Sequence, residues 1–196
     1  MLLLCENAMN PGNARTERLL GRIREFIPLG EGNKKILHLC CQDAHIDGAI
    51  NIDYVKFEGV DIIADLNRRW RFAKNESVDG IIAIDALEHL NYFHAMGEIA
   101  RVLKPGGNCY LRVPHFTNHR AHIGEHTIPG LSYIAFDHFK DKNHPFYRLK
   151  VISNRISFGR ALRFLDWAIN RMPLLWERFF CYIMPAVELE IVLEKR

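Results

Sequence analysis

The sequence predicts an α/β fold in which a mostly parallel sheet carries helices. Short apolar runs typical of buried strands recur along the chain, and amphipathic helical patterns stand between several of them. Three of these runs end in an aspartate. The chain has 196 residues, 48% of them hydrophobic, which is enough apolar material for one core. We therefore expect a single domain over residues 1–196.

The first predicted element is a helix that begins after Asn13. Asparagine is a favourable N-cap, and the apolar residues that follow recur at helical spacing. These apolar residues are Leu19, Leu20, Ile23, Phe26 and Ile27. Pro28 and Gly30 are predicted to end the helix.

Four predicted strands follow, at residues 35–40, 50–53, 60–65 and 80–85. The last three end in Asp53, Asp65 and Asp85. In open α/β sheets, ligands bind outside the carboxyl ends of the strands, because loops and helix N-termini converge there. We therefore expect these carboxylates to line a binding edge. The connections after the first two strands are shorter than a usual helical crossover, so one face of the sheet should be partly uncovered.

The remaining elements are read from periodicity and from stop signals. A helix should begin at Asn91 and end at the Lys104-Pro105-Gly106-Gly107 segment, before a fifth strand over residues 109–113. Residues 148–158 predict a sixth strand, and residues 162–172 an amphipathic helix. Residues 187–194 alternate apolar and polar side chains, which indicates a terminal strand.

An aromatic segment lies between Pro173 and Pro185 and predicts a short helix that is apolar on nearly every side. A position in the core is the default expectation for such a segment. A lid over an apolar acceptor and a contact with a membrane surface are the alternatives.

Composition limits the class of protein. The formal net charge is +3 and the basic residues are scattered, so a nucleic-acid partner is not expected. The five cysteines are an odd number without repeated spacing, which favours a reducing cytoplasm over a secreted disulfide framework. The Met1–Leu4 start lacks the order of a signal peptide, and no run is long enough to span a bilayer. We expect a soluble, cytoplasmic protein.

The order of motifs resembles that of class I S-adenosylmethionine-dependent methyltransferases, in particular small ones associated with glycan or cell-envelope genes. The resemblance is carried by residues 45–66, by residues 77–90 with Leu87-Glu88-His89-Leu90, and by residues 98–107 with Lys104-Pro105-Gly106-Gly107. It implies a Rossmann-like, doubly wound, mostly parallel seven-stranded sheet with an antiparallel C-terminal strand and short crossovers after strands 1 and 2. Residues 34–116 would form the cofactor-binding half, and residues 117–196 the substrate side.

The resemblance also implies roles for individual residues. Asp53 would accept hydrogen bonds from the two ribose hydroxyls of S-adenosylmethionine. Asp65 would accept from the adenine amino group, while the backbone N–H of Leu66 meets a ring nitrogen. The other expected cofactor-binding residues lie in the first loop and after the fourth strand: His38, Leu39, Cys40, Cys41, Asp85 and Leu87.

Four residues depart from the family's pattern. His38 stands where an acidic residue is often found, Arg71 replaces a proline, and the other two lie in the first loop. Cys40 and Gln42 stand where the first loop usually has glycines, whose missing Cβ allows a ligand to approach closely. The leading hypothesis is a methyltransferase that acts on a small-molecule or glycan acceptor. The alternative is a binding or scaffold domain that keeps the fold but has lost the cofactor.

Several histidines are candidates for chemistry. His89 and His115 follow the fourth and fifth strands, where a neutral imidazole can take a proton from an acceptor hydroxyl. The alternative for each is a structural hydrogen bond in a loop. His115, His119, His122 and His126 would share one face if the segment were helical and could then bind zinc. A loop that contacts the substrate is the preferred interpretation, so no metal ligand is assigned.

Overall fold

The computed structural model describes residues 13–122, 124 and 126–196, so the Met1–Leu4 segment and Cys5 lie outside the described part. The strands are β1 (Ile36–Leu39), β2 (Ile50–Asp53), β3 (Ile62–Ile63), β4 (Val78–Ile84), β5 (Leu103–Pro114), β6 (Leu149–Ser157) and β7 (Glu188–Lys195). They form one seven-stranded sheet with the order β3-β2-β1-β4-β5-β7-β6. The predicted sheet is confirmed.

The sheet is parallel from β3 to β5. β1 pairs in parallel with β2 and β4, β2 with β3, and β4 with β5. β7 lies between β5 and β6 and is antiparallel to both. Residues 40–49 and 54–61 are all described and contain no helix, which confirms the short connections after β1 and β2.

Helices α1 (Ala14–Arg24) and α2 (Tyr92–Val102) begin where the sequence predicts. The side chain of Asn13 accepts a hydrogen bond from the N–H of Arg15, and that of Asn91 accepts from the N–H of His94. Ile23 of α1 packs in one apolar cluster with Ile82, and Ile99 of α2 packs in the other with Ile81. Neighbouring strand residues point to opposite faces, so the two helices cover opposite sides of the sheet.

Three predicted boundaries are wrong. β5 begins at Leu103, so the Lys104-Pro105-Gly106-Gly107 segment belongs to the strand and does not separate it from the helix. β3 covers two residues rather than six. The amphipathic helix expected over residues 162–172 is a 3-10 helix, Arg160–Leu165, followed by the four-residue α3 (Asp166–Ile169).

The aromatic segment forms α4 (Pro173–Phe179) and the turn after it. Trp176 and Cys181 are buried, but most of the large apolar side chains here face outward, with Tyr182 84% and Ile183 76% exposed. The expectation that this segment belongs to the core is therefore wrong for most of its residues. Among the described residues, no helix has the length and apolar character needed to cross a membrane.

Candidate active site

The carboxyl edge of the parallel strands brings together most of the residues singled out in the sequence. Cys40 follows β1, Asp53 ends β2, Asp85 follows β4 and His115 follows β5. These strands are adjacent and parallel, so their ends meet at one edge of the sheet. Asp65 follows β3 at the outer end of the same edge.

The loop after β1 has the backbone shape of a glycine loop but carries side chains. Cys40 and Gln42 have φ values of 52° and 49°, in the left-handed region that glycine adopts most easily. The N–H of Cys41 donates to the carbonyl of Ile52 at 3.1 Å, which ties the loop to β2. The chain thus adopts this turn despite a steric cost of roughly 1 kcal/mol for each of the two residues.

Asp53 closes this loop. One carboxylate oxygen accepts from the N–H of Gln42 at 2.9 Å, and the other accepts from the N–H of Val55 at 3.0 Å. Asp53 is only 2% exposed. A carboxylate offers about four lone-pair positions, so about two remain for a ligand that reaches it.

His38 and Leu39 lie at the end of β1 and are buried. Nδ1 of His38 is 3.0 Å from Oδ1 of Asn51, whose amide group donates to nearby carbonyls. Nδ1 of His38 therefore carries the proton. Burial lowers the pKa of His38 to about 4, against the smaller opposing effects of Asn51 and Asp53. Its ring is neutral at physiological pH.

The two thiols of the loop are unreactive by environment. Burial, followed by the charge of Asp53, raises the pKa of Cys40, and the same two causes raise the pKa of Cys41 to about 12. Both groups stay protonated at neutral pH, so neither thiol is suited to nucleophilic attack. Cys40 and Cys41 therefore contribute the shape of the loop and its backbone hydrogen bonds.

Asp65 and Leu66 lie further out, after β3. The Asp65 side chain is 50% exposed, and its two oxygens bond the N–H of Asn67 at 3.0 Å and Nε of Arg68 at 3.1 Å. The Leu66 side chain is buried in the core, and its carbonyl accepts from Nε1 of Trp70. Asp65 is thus accessible, whereas Leu66 offers only its backbone to a ligand.

Asp85 takes part in a charge cluster that the sequence did not reveal. Its carboxylate lies 2.6 Å from Nη2 of Arg112, a buried residue of β5 that also lies 3.9 Å from Glu188. Burial alone would lower the pKa of Arg112, but Asp85 and Glu188 outweigh it and raise that pKa. Arg112 is therefore a fixed positive charge beneath the edge. Its partner Glu188 comes from a distant segment, which no local motif signals.

The 3-10 helix Leu87–His89 follows Asp85. Leu87 is buried in the core, and Glu88 is 1% exposed, with Oε2 accepting no hydrogen bond from the described part of the chain. Burial, followed by the charge of Asp85, raises the pKa of Glu88 to about 8. His89 is half-buried, and its ring meets that of His126 edge to face at 4.6 Å between centroids.

His115 is fully buried and both of its ring nitrogens are engaged. Nδ1 lies 2.7 Å from the Thr117 hydroxyl, and Nε2 lies 3.2 Å from a carboxylate oxygen of Glu177 in α4. The N–H of Thr117 also donates to Nδ1, so Nε2 carries the proton and donates to Glu177. Glu177 is a site residue that sequence spacing could not identify, because it lies in the aromatic segment.

The histidines between residues 115 and 126 do not share a helix face. His115 forms an isolated bridge with Leu131, and of the described residues in this segment only His119–His122 is helical, as a short 3-10 turn. Nε2 of His122 bonds the carbonyl of Phe116, and Nδ1 of His126 bonds that of Ala121. The four-histidine zinc arrangement considered from spacing is therefore absent from this described segment.

A cavity of about 630 Å³ adjoins this edge, near the ends of β5 and β6 and the start of β7. None of the nine predicted cofactor residues lines it. Four arginines do, together with polar groups: Arg15, Arg18, Arg120 and Arg163 with Thr117, Asn118 and Ser157. One acidic residue, Glu188, lies in the wall and pairs with Arg15 at 3.5 Å. The wall is thus strongly positive, although its arginines are scattered in the sequence.

Solved structures resemble the fold of this chain over nearly its whole length. An S-adenosylmethionine-dependent methyltransferase from Archaeoglobus fulgidus is 14% identical, with a TM-score of 0.58 over 91% of this chain and 94% of that one. Phosphoethanolamine N-methyltransferase 2 of Haemonchus contortus, solved with S-adenosylmethionine, is 13% identical, with a TM-score of 0.58 over 97% of this chain and 54% of that one. A methyltransferase complex with the Trm112 activator from Haloferax volcanii is 18% identical, with a TM-score of 0.53 over 90% and 88%.

These similarities, together with the sheet order, show that the chain has the fold of class I S-adenosylmethionine-dependent methyltransferases. Residues 35–111 match the family model described as a methyltransferase domain. No curated protein matches the sequence. The matched segment runs from β1 into β5 and includes each of the nine predicted cofactor residues.

Proposed function

We propose that the protein is an S-adenosylmethionine-dependent methyltransferase that acts on a small-molecule or glycan acceptor by direct in-line transfer. The observation that carries this proposal is the position of Asp53 and Asp85 on either side of the left-handed loop at Cys40 and Gln42. A carboxylate there suits a ribose, and the loop backbone suits a close approach of the cofactor. The family match of residues 35–111 supports the same proposal.

The residues present fit the cofactor chemically. Asp53 retains acceptor capacity for vicinal hydroxyls beyond its two backbone bonds. Asp65 is accessible as an acceptor for the adenine amino group, next to the backbone N–H of Leu66. The remaining proposed contacts come from the β1 loop and from the segment after β4: His38, Leu39, Cys40, Cys41, Asp85 and Leu87.

The bound cofactor would supply a methyl group on a positively charged sulfur, which becomes a neutral thioether when the methyl group leaves. The chain's own task is then to align the acceptor and to remove its proton. We assign the proton transfer to His89, which lies half-buried at the edge beside Asp85. His115 is assigned a positioning role, because Thr117 and Glu177 occupy its two nitrogens.

The acceptor would enter from the side formed by residues 117–196. The cavity lined by four arginines supports an acceptor that carries a phosphate or carboxylate group, since guanidinium groups bind both in a bidentate manner. A phosphorylated or acidic sugar meets this requirement and remains within the proposed substrate class.

The second candidate is a domain that keeps the fold without binding the cofactor. It is favoured by the 2% exposure of Asp53 and by the side chains at Cys40 and Gln42, which fill space that glycines would leave open. In this candidate, a ribose does not reach the buried carboxylate of Asp53. The two candidates therefore differ in one measurable property, the affinity for S-adenosylmethionine.

Isothermal titration of the full chain with S-adenosylmethionine and S-adenosylhomocysteine tests the proposal. We expect both to bind, and Asp53→Asn to weaken binding by about tenfold or more, the loss of one charge-assisted hydrogen bond. Asp47→Asn is the matched control, because Asp47 is exposed in the connection between β1 and β2. Lack of binding at millimolar ligand would refute the enzyme hypothesis.

A double substitution, Cys40→Gly with Gln42→Gly, separates the two candidates further. Glycine relieves the left-handed strain and removes both side chains. A large gain in affinity, from none to measurable, would favour the domain that has lost its cofactor. Similar affinities before and after the change would show that the loop binds the cofactor as it is.

A further inference from the structure

Three potential metal ligands meet beside the carboxyl edge. Among the residues that the structure describes, Glu88, His89 and His126 place one ligand atom each within 4.8 Å of the other two. Zinc with bonds of about 2.1 Å separates tetrahedral ligand atoms by roughly 3.4 Å. The ligand atoms therefore lie within about 1.4 Å of the spacing that zinc requires. The three residues come from two segments of the chain.

His126 has the tautomer that a ligand needs. Its Nδ1 lies 3.2 Å from the carbonyl of Ala121, which can only accept, so Nδ1 donates and Nε2 carries the lone pair. Histidines that bind metals commonly donate their second N–H to a carbonyl or carboxylate in this way. The hydrogen bond thus fixes the orientation of the ring as well as its protonation.

Glu88 provides an independent observation. It is 1% exposed, and its Oε2 accepts no hydrogen bond from the described residues. A buried carboxylate oxygen without a partner is unfavourable by roughly 1–3 kcal/mol or more, unless a cation or a donor compensates it. A bound cation held jointly with the two imidazoles supplies that compensation.

The two segments are held in place by backbone bonds. The N–H of Thr127 donates to the carbonyl of Glu88 at 2.7 Å, and the Thr127 hydroxyl lies 2.5 Å from the carbonyl of Leu90. His126 is therefore fixed against the Leu87–His89 turn by its neighbour in the sequence. Backbone hydrogen bonds of the fold therefore bring the three residues of the cluster together.

We propose that Glu88, His89 and His126 bind a divalent transition-metal ion, with zinc as the type case. Two imidazoles and one carboxylate suit zinc and similar first-row ions, whereas magnesium and calcium prefer oxygen ligands alone. Three protein ligands leave a further coordination position open, which is the arrangement of catalytic rather than structural zinc sites.

The open position gives the ion a role on the acceptor, and this role, unlike the binding itself, rests on the proposed methyltransferase function. A hydroxyl that binds a divalent ion loses its proton at a lower pH, so the acceptor oxygen becomes the nucleophile as its proton passes to water. The new O–CH₃ bond then forms as the S–CH₃ bond breaks. In the metal-bound protein, His89 acts on the acceptor through the ion and does not take the proton itself. Direct proton transfer to His89 applies only to the metal-free protein.

Titration of the metal-depleted full chain with Zn²⁺, and separately with Co²⁺ followed by visible absorption, tests the site. We expect one ion per chain. His126→Ala and Glu88→Gln should each weaken zinc binding by more than the 10- to 100-fold that is typical when a residue hydrogen-bonded to a metal ligand is replaced. His119→Ala is the matched control, since it removes a neighbouring exposed histidine outside the cluster.

Unchanged zinc affinity in His126→Ala and Glu88→Gln would overturn the proposal, as would the absence of stoichiometric binding to the unsubstituted chain. Circular dichroism of each variant confirms that a loss of binding is not a loss of fold. Titration of the metal-depleted chain with S-adenosylmethionine is scored separately. Zinc binding without cofactor binding supports the metal site and refutes the methyltransferase proposal. Cofactor binding without zinc binding refutes the metal site and supports the methyltransferase proposal.

Discussion

His38 is a buried histidine whose environment allows only its neutral form. Its ring donates to Asn51 in the centre of the sheet, and the backbone around it comes from β1 and β2. Burial is the dominant cause of the lowered pKa of about 4, against an ordinary value of 6.5. Protonation in the folded state would keep the hydrogen bond to Asn51 but place a positive charge in the buried sheet.

This lowered pKa makes folding stability depend on pH. Between pH 6.5 and about 4 the unfolded chain binds a proton at His38 that the folded chain does not, so stability falls as the pH falls. From pH 7.5 to about pH 5 the loss from this residue is about 2 kcal/mol. Urea unfolding of the parent chain and of His38→Gln at both pH values measures it as the difference between their pH effects. Equal pH effects in the two proteins would contradict the assignment.

At the scale of residues, the sequence identifies groups that follow strands but not their partners. Asp53 and Asp85 are predictable at the sheet edge, because each ends an apolar run. Arg112 and Glu177 are not, because they are brought to Asp85 and His115 by pairing and packing between distant segments. The proximity of His126 to His89 has the same origin. Contacts between residues that are distant in sequence cannot be predicted from local patterns in a single sequence.

At the scale of elements, α2 holds the segment before β4 in place. Glu98 accepts from the N–H of the buried Trp70 at 2.7 Å and pairs with Arg101 at 2.6 Å, while Arg101 donates to the carbonyls of Trp70 and Ala73. Burial raises the pKa of Glu98, but Arg101 and the Trp70 N–H outweigh it and hold the pKa below its usual value. The pair thus connects a helix to a loop.

Glu98→Ala should lower the free energy of unfolding by about 2 kcal/mol, because it leaves the Trp70 N–H without an acceptor and Arg101 without its carboxylate. Glu98→Gln should lose less, since the amide oxygen still accepts from Trp70. Urea unfolding of the three proteins at neutral pH measures both differences. A smaller loss in the alanine variant than in the glutamine variant would contradict this account of the contact.

Elements are predicted well where their ends are chemically marked. Asn13 and Asn91 cap α1 and α2 as expected. The glycines at 106 and 107 do not end an element, because Val78 pairs with Leu103 and Gly80 with Asn108, which makes the segment between these pairs an irregularity within β5. The short α3 lacks a side chain that caps its start. Without such a marker, apolar spacing alone predicted a longer helix than the fold contains.

At the scale of the whole molecule, the segment around α4 exposes large apolar side chains. Phe179, Tyr182 and Ile183 lie largely outside the core, and Arg178 lies over the ring of Phe179 at 5.6 Å. Apolar exposure of this extent is unusual for a monomer surface. The expectation that this segment lies in the core failed because apolar composition does not reveal which side chains pack against other elements of the fold.

This exposure predicts that the native protein binds the apolar dye ANS. Substitution of Phe179, Tyr182 and Ile183 by serine should lower dye fluorescence clearly while changing the free energy of unfolding by only about 0.5 kcal/mol per site, as expected for exposed positions. Fluorescence titration and urea unfolding are the measurements. A fall in stability of several kcal/mol would show that these side chains are packed in solution.

The place of β7 in the sheet has a consequence for the order of folding. β7 is the described strand that joins β5 to β6, and Tyr110 pairs with Val192 across a large separation in sequence. Such non-local pairing closes slowly, because the entropy of a long loop is lost before the contacts form. The parallel strands β1 to β5 can assemble from nearer segments. The wall of the arginine-lined cavity, to which Val187 and Glu188 contribute, is therefore expected to be among the last parts of the molecule to form.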